Sequence, residues 1–325
     1  MRVAVVIVNF NAGDYLRKCI SALKEQVFSP ARVLVVDNYS QDHSLEGIEE
    51  CFPGLEILRQ EQNLGFAAAN NLGVKQAEDC EWIAFLNPDA FPRPEWLSSL
   101  VRTAKENPGD TFFGCHMTGH GAENIMDGTG DIYHVSGLAW RRDHGLPVSS
   151  ISRDSGEIFS PCAAAALFRR DVFLEADGFD EHYFCYFEDV DLAFRLRLKG
   201  HRGRYVPDAV VEHVGSATTH PQSDFSVYHG HRNLVWTYFK NMPSQLVWIY
   251  LPQHLLANFA ALFWYSLRGQ AGVIFKSKWD ALKGLSRALD RRKDIQKAVC
   301  VPARSLRRVM AKGLFLPYSK NKRRV

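Results

Sequence analysis

Polar side chains follow several apolar runs in this 325-residue sequence. The runs at 2–8, 32–36, 55–58 and 82–86 are rich in Val, Ile and Leu, and Asn or Asp comes soon after each. In an open α/β sheet, ligands bind outside the carboxyl ends of the strands. The pattern therefore predicts a polar ligand site at that edge, built from Asn9, Asn11, Asp37, Asn38, Asn63, Asn87 and Asp89.

The tripeptide Asn87-Pro88-Asp89 follows the most aromatic of these runs. A carboxylate at the exit of a buried strand can hold a divalent cation against a diphosphate, and hard oxygen ligands suit Mg²⁺ or Mn²⁺. Asn-Pro-Asp is also common turn chemistry. The tripeptide alone thus leaves a metal site and a plain turn open.

Three acids in four residues, Glu188, Asp189 and Asp191, open a predicted helix inside the aromatic frame HYFCYFEDVDLAF. Crowded carboxylates in apolar surroundings have raised pKa values, which suits a general base. Acids in a first helical turn also simply complement the helix dipole. Asp189 and Asp191 cannot share one helical face, so at most one side of the cluster faces a site.

A single histidine, His213, ends the run VVEHV. A lone His after a strand is more often structural than a ligand, so the residue by itself assigns nothing. The histidines between residues 110 and 160 carry no assignment either. The weight of His213 depends on what else lies near it.

The elements that must position these residues alternate between strand and helix. Strands are predicted at 2–8, 32–36, 55–58 and 82–86, with helices at 13–26, 44–51 and 65–77 between them. Runs without polar alternation suit strands buried on both faces of a parallel sheet. The fold class is therefore α/β, a doubly wound and mostly parallel sheet with right-handed crossovers.

The later part of the chain is less regular. Residues 110–160, rich in Gly, His and Asp, are predicted to form irregular strands and loops that cover the site. A helix is predicted at 187–199, followed by short strands at 203–206 and 209–213. Long aromatic helical segments begin near residue 221. We expect a catalytic domain over 1–220 and a helical, basic region over 221–325.

Several classes of protein are disfavoured by what the sequence lacks. There is no G-x-G-x-x-G after the first strand and no G-x-x-x-x-G-K-[ST], which argues against a dinucleotide Rossmann enzyme and a P-loop NTPase. The seven cysteines are scattered and contain no C-x-x-C pair, which argues against a zinc site or a disulfide framework. A reducing compartment is the expected location.

Seven motifs in order over about the first 240 residues resemble the family 2 glycosyltransferases, inverting enzymes with the A-type glycosyltransferase fold. The likeness is closest to rhamnosyltransferase-like and galactofuranosyltransferase-like members. Any single motif is weak, but their order is highly specific. The motifs are VVIVNFN, VVDNYSQD, NLGFAAANNLG, FLNPDA, CAAAALFRR, GFDEHYFCYFEDVDLAFRLRLKG and HVGS.

The resemblance implies a role for each motif residue. Asp37 would hydrogen-bond the base of a nucleotide-diphospho-sugar donor, with Asn9, Asn11 and Asn38 in the same pocket. The wall near the ribose and diphosphate would come from Asn63, Gly65 and Asn70. Asn87 and Asp89 occupy the place of the family's D-x-D, with Asn in place of the first Asp.

The resemblance also implies the reaction chemistry. Asp89 would bind Mg²⁺ or Mn²⁺, and His213, 24 residues after Asp189, matches a histidine that completes the metal site in the galactofuranosyltransferase-like branch. Asp189 aligns with the catalytic base, and Glu188 would assist it or bind the acceptor. A single displacement inverts the anomeric carbon, so no protein nucleophile is needed.

The carboxyl-terminal part combines an apolar segment with a strong basic charge. Residues 246–267 are long and apolar enough to suggest a membrane span, interrupted by Pro252 and polar residues. Residues 268–325 carry a net charge of +14, against −11 for the rest of the chain. An interfacial membrane helix, a helical subdomain packed on the catalytic domain, an oligomer contact and a true span all remain open.

These observations predict an inverting, metal-dependent glycosyltransferase of surface-polysaccharide synthesis, with dTDP-rhamnose as the leading donor. Its acceptor would be a glycan or a lipid-linked sugar, and it would be cytoplasmic, attached peripherally to the anionic inner face of the cell membrane. One alternative is a sugar nucleotidyltransferase, but NFNAGDYLRK lacks the Gly-rich basic loop such an enzyme needs. The other is a non-catalytic protein that binds nucleic acid or another anionic surface; little aromatic content follows Trp279, so nucleic acid is not expected.

Overall fold

The computed structural model describes residues 1–215 and 222–314. Ser216, the last residue of the HVGS motif, and residues 315–325 of the basic tail lie outside that range. The strands within it are β1 (Val3–Asn9), β2 (Arg32–Asp37), β3 (Glu56–Arg59), β4 (Trp82–Leu86), β5 (Ala90–Pro92), β6 (Asp110–Gly119), β7 (Ala122–Gly128), β8 (Asp131–Tyr133), β9 (Ala139–Arg141), β10 (Gly156–Ile158), β11 (Ala165–Arg169) and β12 (Arg202–His213).

The helices of the described residues surround this sheet and extend beyond it. They are α1 (Asp14–Lys24), α2 (Gly65–Gln76), α3 (Trp96–Glu106), α4 (Arg170–Glu175), α5 (Glu188–Leu198), α6 (Asp224–Asn241), α7 (Ser244–Leu267), α8 (Ala271–Lys283), α9 (Leu285–Lys297) and α10 (Ala303–Val309). In the main sheet the strand order is β10-β12-β6-β11-β4-β1-β2-β3, with β5 paired to β12 and β7 to β6.

The parallel half of the sheet is the part predicted most closely. β1 lies between β2 and β4 and is parallel to both, and all seven of its residues are buried. Burial of each large aliphatic side chain there stabilises the fold by about 1.5–3 kcal/mol, which explains why the strand has no polar alternation. The register sets Asn9 opposite Asp37, so the polar ends of two strands meet at one edge.

The other half of the sheet is mixed. β11 runs antiparallel to both β4 and β6, whereas β6 and β12 run parallel. Part of the irregular region predicted for 110–160 is thus wrong, because β6 is a ten-residue strand near the middle of the sheet. The buried face of β6 includes Thr, His and Gly residues, so its composition does not read as a core strand.

Two further sequence predictions differ from the structure. The segment 44–51, predicted as a helix, contains only a single 3-10 turn, His43–Leu45. Gly47 has a φ of +62°, which ends helical geometry there. The two short strands predicted at 203–206 and 209–213 are one strand, β12, with a register shift between Val206 and Val210.

Helices cover both faces of the sheet, which confirms the doubly wound α/β class. α1 and α3 pack with one face of the central strands, and α2, α4 and α5 pack with the other. Because α5 begins at Glu188, the sheet fixes where the acidic cluster emerges.

The carboxyl-terminal helices share a core with the catalytic part. Buried side chains of α5 pack with residues of α6, α7 and α10, including Phe194, Tyr238, Val247 and Leu306. The chain then returns to β8, where the amide of Ala311 donates to the carbonyl of Tyr133 at 2.9 Å. α7 is one helix of the described residues long and apolar enough to cross a membrane by length and composition. One of its faces is buried against this core.

Candidate active site

The end of β1 supports the end of β2. The Asn9 side-chain amide donates to Asp37 Oδ1 at 3.1 Å, Ser40 Oγ at 2.9 Å and Ser44 Oγ at 2.8 Å. Asn9 is fully buried, so it holds Asp37 from behind and does not line the pocket as predicted. Its amide instead fixes the side chain of Asp37 and the turn that follows β2.

A second hydrogen-bonded group follows β2. The Asn38 amide donates to Asn63 Oδ1 at 2.8 Å, and its own oxygen accepts from the Leu64 amide at 2.8 Å. Asn63 Oδ1 also accepts from the backbone of Gly65, which starts α2. Gly65 has a φ of +80°, and a Cβ there would lie 2.5 Å from the ring of Phe184. Asn38, Asn63 and Gly65 therefore form one wall of the predicted donor site, called the donor wall below. Gly65 is required there for the close approach of Phe184.

The remaining donor-site candidates differ in exposure: two are at least partly exposed and one is buried. Asn11 is exposed beside this wall, with its side-chain oxygen accepting from the amide of Gln41 at 2.7 Å. Asn87, partly exposed, donates its backbone N–H to Ala164. Asn70 is buried and donates to the carbonyl of Phe66 within its own helix, so it does not line the predicted wall. Its place one turn into α2 turns the side chain inward.

Asp89 and His213 are neighbours. β5 pairs with the end of β12 so that His213 lies opposite Ala90, and Asp89 Oδ1 is 3.3 Å from His213 Nε2. On its other side, His213 Nδ1 lies 2.8 Å from Asp127 Oδ2. A carboxylate at Nδ1 orients the ring and leaves Nε2 directed at Asp89.

This pair fits a divalent cation. His213 Nε2 is buried without a hydrogen-bond partner within the described residues, and it faces a carboxylate oxygen. No group of three or more His, Cys, Asp or Glu within residues 1–215 and 222–314 is arranged to hold a metal. Two protein ligands are what Mg²⁺ or Mn²⁺ uses when phosphate oxygens and water complete its shell.

Sequence reasoning missed three charged residues around this site. Asp127 accepts from Arg141 and also lies 3.6 Å from His144 Nδ1. Burial strongly raises the pKa of Asp131, and the negative charge of Asp189 raises it further. Arg141 interacts with Asp127, Asp131 and Asp189 together. The signal was available: two aspartates beside glycines in IMDGTGDIY, within strands β7 and β8.

The two acids that begin α5 are poorly compensated. Asp189 accepts from the amides of Ala163 at 3.1 Å and Val190 at 2.8 Å. Burial still raises its pKa, although these bonds and Arg141 oppose the shift. Glu188 is 5% exposed, and its Oε2 has no partner within the described part of the chain. Burial, then the charge of Asp189, raise the Glu188 pKa well above its ordinary value.

Asp191 has a different environment, one turn away from the sheet edge. It is fully buried and accepts from Arg195 Nε at 2.9 Å, Lys240 Nζ at 2.8 Å, Asn241 Nδ2 at 2.7 Å and the Tyr183 hydroxyl at 3.1 Å. The expectation that Asp189 and Asp191 face different surroundings is confirmed. Asp191 holds α5 and α6 together.

A strand-edge site with paired acids and an Asp–His pair, on a doubly wound sheet, is the arrangement of the A-type glycosyltransferase fold. A family model described as "Glycosyl transferase family 2" matches residues 4–175. The chain therefore belongs to glycosyl transferase family 2, and it is a glycosyltransferase.

Curated relatives are similar at modest identity. An N-acetylglucosaminyl-diphospho-decaprenol L-rhamnosyltransferase from Mycobacterium tuberculosis is 27% identical over 252 residues, which is 69% of this chain and 80% of that protein. Rhamnosyltransferase WbbL from Escherichia coli K12 is 28% identical over 218 residues, 63% of this chain and 80% of the relative.

A solved structure supports the fold. The mannosyltransferase PcManGT from Pyrobaculum calidifontis, in complex with GDP-Man and Mn²⁺, aligns with a TM-score of 0.55 at 17% identity. The alignment covers 99% of this chain and 82% of the other. At this identity the likeness concerns the fold, which confirms the A-type glycosyltransferase architecture.

Proposed function

We propose that this protein is an inverting glycosyltransferase of surface-polysaccharide synthesis. It transfers a sugar, with rhamnose from dTDP-rhamnose as the leading donor, to a glycan or lipid-linked acceptor. The observation that carries the proposal is the poorly compensated pair Glu188–Asp189 at the start of α5, where Glu188 Oε2 is buried without a partner in the described part of the chain. The charge of Asp131 acts on Glu188, and that of Arg141 acts on Asp189. The two relatives named as rhamnosyltransferases support the choice of sugar.

In this mechanism Asp189 accepts the proton of the acceptor hydroxyl as the oxygen attacks the anomeric carbon. The new carbon–oxygen bond forms while the bond to the nucleoside diphosphate breaks, and the diphosphate leaves with its electron pair. General-base help of this kind contributes about 10²–10⁴-fold. The raised pKa of Asp189 makes it a stronger base than an exposed aspartate.

The donor would be held along the wall of β1, β2 and α2. Asp37, supported by Asn9, would accept from the base, while Asn11, Asn38, Asn63 and Gly65 lie along the same edge. Asn70, buried inside α2, has no direct part in holding the donor. Asp89 and His213 would hold Mg²⁺ or Mn²⁺, which would neutralise charge on the departing diphosphate when bound.

The donor and the metal can be tested by thermal stabilisation. UDP, dTDP and GDP are titrated with Mn²⁺, with Mg²⁺ and with EDTA, because a ligand at 100 times its Kd adds about 2.7 kcal/mol to stability. We expect dTDP with metal to stabilise most, Asp89→Ala to abolish the metal-dependent part, and His213→Ala to weaken it. Equal nucleotide binding in EDTA would remove the metal from the proposal.

A matched control is available in the same strand pair. The control is Glu212→Gln, because Glu212 precedes His213 in β12 and pairs with Arg93 at 2.7 Å. Successive side chains of a strand point to opposite faces, so Glu212 and His213 leave β12 on different sides. The variant should leave metal-dependent nucleotide binding unchanged. A loss equal to that of His213→Ala would show that the effect comes from disturbing β12 and would remove the ligand role of His213.

We also propose that the enzyme is cytoplasmic and attached peripherally to the membrane through α7 and α8. The buried face of α7 packs on the protein core, but its opposite face is apolar and 47–73% exposed. That face consists of Trp248, Ile249, Leu255, Leu256, Phe259, Phe263 and Leu267. α8 adds Phe275, Trp279 and Leu282, each about 60% exposed. We call these ten side chains the apolar face.

The composition of this surface favours a bilayer interface over a second copy of the chain. Trp248 and Trp279 of the apolar face suit the headgroup level. Lys283 lies over Trp279 at 5.5 Å, and Arg268 lies over Trp264, an exposed tryptophan near the end of α7 and outside the ten, at 4.8 Å. Basic side chains beside an apolar face gain about 1 kcal/mol each near anionic lipid.

Vesicle binding tests this attachment. Because α6 to α10 share a core with α5, removing them would damage the fold, so point substitutions are the sharper probe. We expect Phe259→Ser with Phe263→Ser to reduce binding to anionic vesicles by tenfold or more and to leave donor binding intact. Binding of the unmodified protein should weaken with salt, since exposed charges are screened over about 8 Å. Indifference to vesicles with a dimer in solution would assign the face to a second copy.

A further inference from the structure

The turn that leads into the acid pair has an unusual backbone. Phe184, Tyr186 and Phe187 have φ values of 65°, 67° and 70°, and Phe187 directly precedes Glu188. Positive φ is unfavourable for bulky L-residues, and such conformations persist only where the surroundings hold them. We call residues 183–187 the catalytic turn.

One buried side chain of α6 contacts most of this turn. Asn233 is fully buried, and its amide nitrogen lies 3.0 Å from the carbonyl of Tyr183, 3.0 Å from that of Cys185 and 2.7 Å from that of Tyr186. A primary amide has two N–H groups, so three carbonyls share them. The amide thus donates to the carbonyls on both sides of Phe184, which is the first residue of the turn with a positive φ.

The neighbouring residue strengthens the same attachment. Arg232 donates to the carbonyls of His182 at 3.2 Å and Tyr183 at 2.9 Å. Two consecutive residues of α6 therefore donate to the carbonyls of four residues in or just before the turn: His182, Tyr183, Cys185 and Tyr186. Turn carbonyls directed into a protein interior need such donors, because an unpaired buried carbonyl is costly.

The opposite side of the catalytic turn touches the donor wall. Phe184 lies against Gly65, where a Cβ would come within 2.5 Å of its ring, and its carbonyl accepts from the amide of Ala67 at 3.2 Å. The turn is therefore held between α2, which carries the donor wall, and α6. The backbone then enters α5 at Glu188 with no residue between.

We propose that Asn233 is a positioning residue that sets Glu188 and Asp189 through the catalytic turn. The inference rests on the proposed role of Asp189 as base. Replacing the amide removes donors from three carbonyls at once and lets the unfavourable backbone relax. A shift of the helix start moves the carboxylates relative to the acceptor, and small misplacements of a catalytic group cost large factors in rate.

The experiment compares Asn233→Ala and Asn233→Asp with Asn241→Ala. Asn233→Asp keeps the size but loses the donors. Asn241 is the matched control, because it lies on the same helix, is equally buried and donates to Asp191, outside the turn. The measurements are melting temperature, nucleotide binding with metal, and kcat and donor KM well below the melting temperature.

We expect both Asn233 variants to lower kcat at least tenfold more than Asn241→Ala at a similar loss of melting temperature. Donor KM should change less than threefold, since α2 keeps its own hydrogen bonds. If the Asn233 variants do not fold, Arg232→Gln, which removes the bonds to the carbonyls of Tyr183 and of His182 just before the turn, should lower kcat several-fold with KM retained. Kinetics of the Asn233 or Arg232 variants that match Asn241→Ala would overturn the proposal.

Asp189→Asn measured alongside separates this inference from the function on which it rests. If Asp189→Asn retains turnover, the assignment of the base fails, whatever the Asn233 variants do. If Asp189→Asn loses turnover while the Asn233 variants behave as the control does, the base stands and the positioning role of Asn233 is wrong.

Discussion

The two ends of the acidic cluster on α5 differ in environment although they differ little in chemistry. Asp191 is surrounded by Arg195, Lys240, Asn241 and a tyrosine hydroxyl. Glu188 and Asp189, within the same turn and a half of helix, face no cation at hydrogen-bonding distance within the described residues and lie near another acid, Asp131. The number of hydrogen-bond donors and cations around each carboxylate therefore separates a structural role, at Asp191, from a chemical one, at Glu188 and Asp189.

The physical reason is the free energy of the ionised form. A buried carboxylate with two cations and two further donors stays charged and ties helices together. A buried carboxylate with few donors has a raised pKa and is left able to take a proton. Glu188 and Asp191 are both buried, so hydrogen bonds and ion pairs, and not exposure, make the distinction between them.

The largest expected effect is on turnover at the Glu188–Asp189 end of the cluster. This end has few hydrogen-bond donors and is called the donor-poor end below; the Asp191 end is called the donor-rich end. Asp189→Asn removes the proton acceptor but keeps the shape, so kcat should fall by about 10²–10⁴-fold. Folding, judged by melting temperature, and nucleotide binding should stay near those of the unmodified protein. Near-normal turnover would show that Asp189 is not the base and would leave Glu188 or Asp131 as the candidate.

At the donor-rich end, the largest effect should be on stability. Asp191→Asn leaves Lys240 and Arg195 short of a counter-charge in the interior, and breaking a buried pair costs about 3–5 kcal/mol. Urea unfolding followed by circular dichroism measures this loss. A stability near that of the unmodified protein, with turnover as low as that of Asp189→Asn, would reverse the two roles.

Much of this site could be predicted from the sequence, because it lies where regular strands end. The strands ending at Asn9, Asp37 and Leu86 are continuous apolar runs, which is the sequence pattern of strands buried on both faces. Asp89 and His213 were paired by resemblance, and their proximity in the structure agrees with that expectation.

Other parts could not be predicted, for identifiable reasons. The resemblance places Asn9 and Asn70 on the pocket wall, but a motif does not tell on which side of a covered strand or helix a polar side chain lies. β6 was missed because Thr111, His116 and Gly114 interrupt its apolar pattern. Asp127, Asp131 and Arg141 depend on contacts between segments that are distant in sequence, as does the return of the chain to β8.

Stability as a function of pH should show that Glu188 belongs to the donor-poor end. Its folded-state pKa is raised above an unfolded value of about 4.3. The folded state therefore binds the extra proton, and stability contributed by neutral Glu188 is present at low pH and lost as pH rises through the folded pKa. Glu188→Gln imitates the protonated acid, so its stability relative to the unmodified protein should rise from pH 4 to pH 8. Urea midpoints that differ by a constant amount across this range would contradict the raised pKa.

The smallest effect concerns Arg141, a cation whose charge acts on the Glu188–Asp189 end of the cluster. Burial raises the pKa of Asp189, and the charge of Arg141 opposes that rise. Removing the charge in Arg141→Gln should raise the pKa of Asp189 further, so the acid limb of the kcat profile should move to higher pH. The profile is measured at saturating donor and metal, with Glu188 and Asp131 unchanged.

Arg142→Gln is the matched control for that profile. Arg142 is the next residue and binds Thr129 at 2.7 Å, while Asp189 interacts with Arg141 instead. Its acid limb should coincide with that of the unmodified protein. If both variants shift the limb equally, the cause is a general disturbance of β9 and the residue that follows it. If neither shifts it, the field of Arg141 does not reach the base, and the donor-poor end is even less compensated than its surroundings indicate.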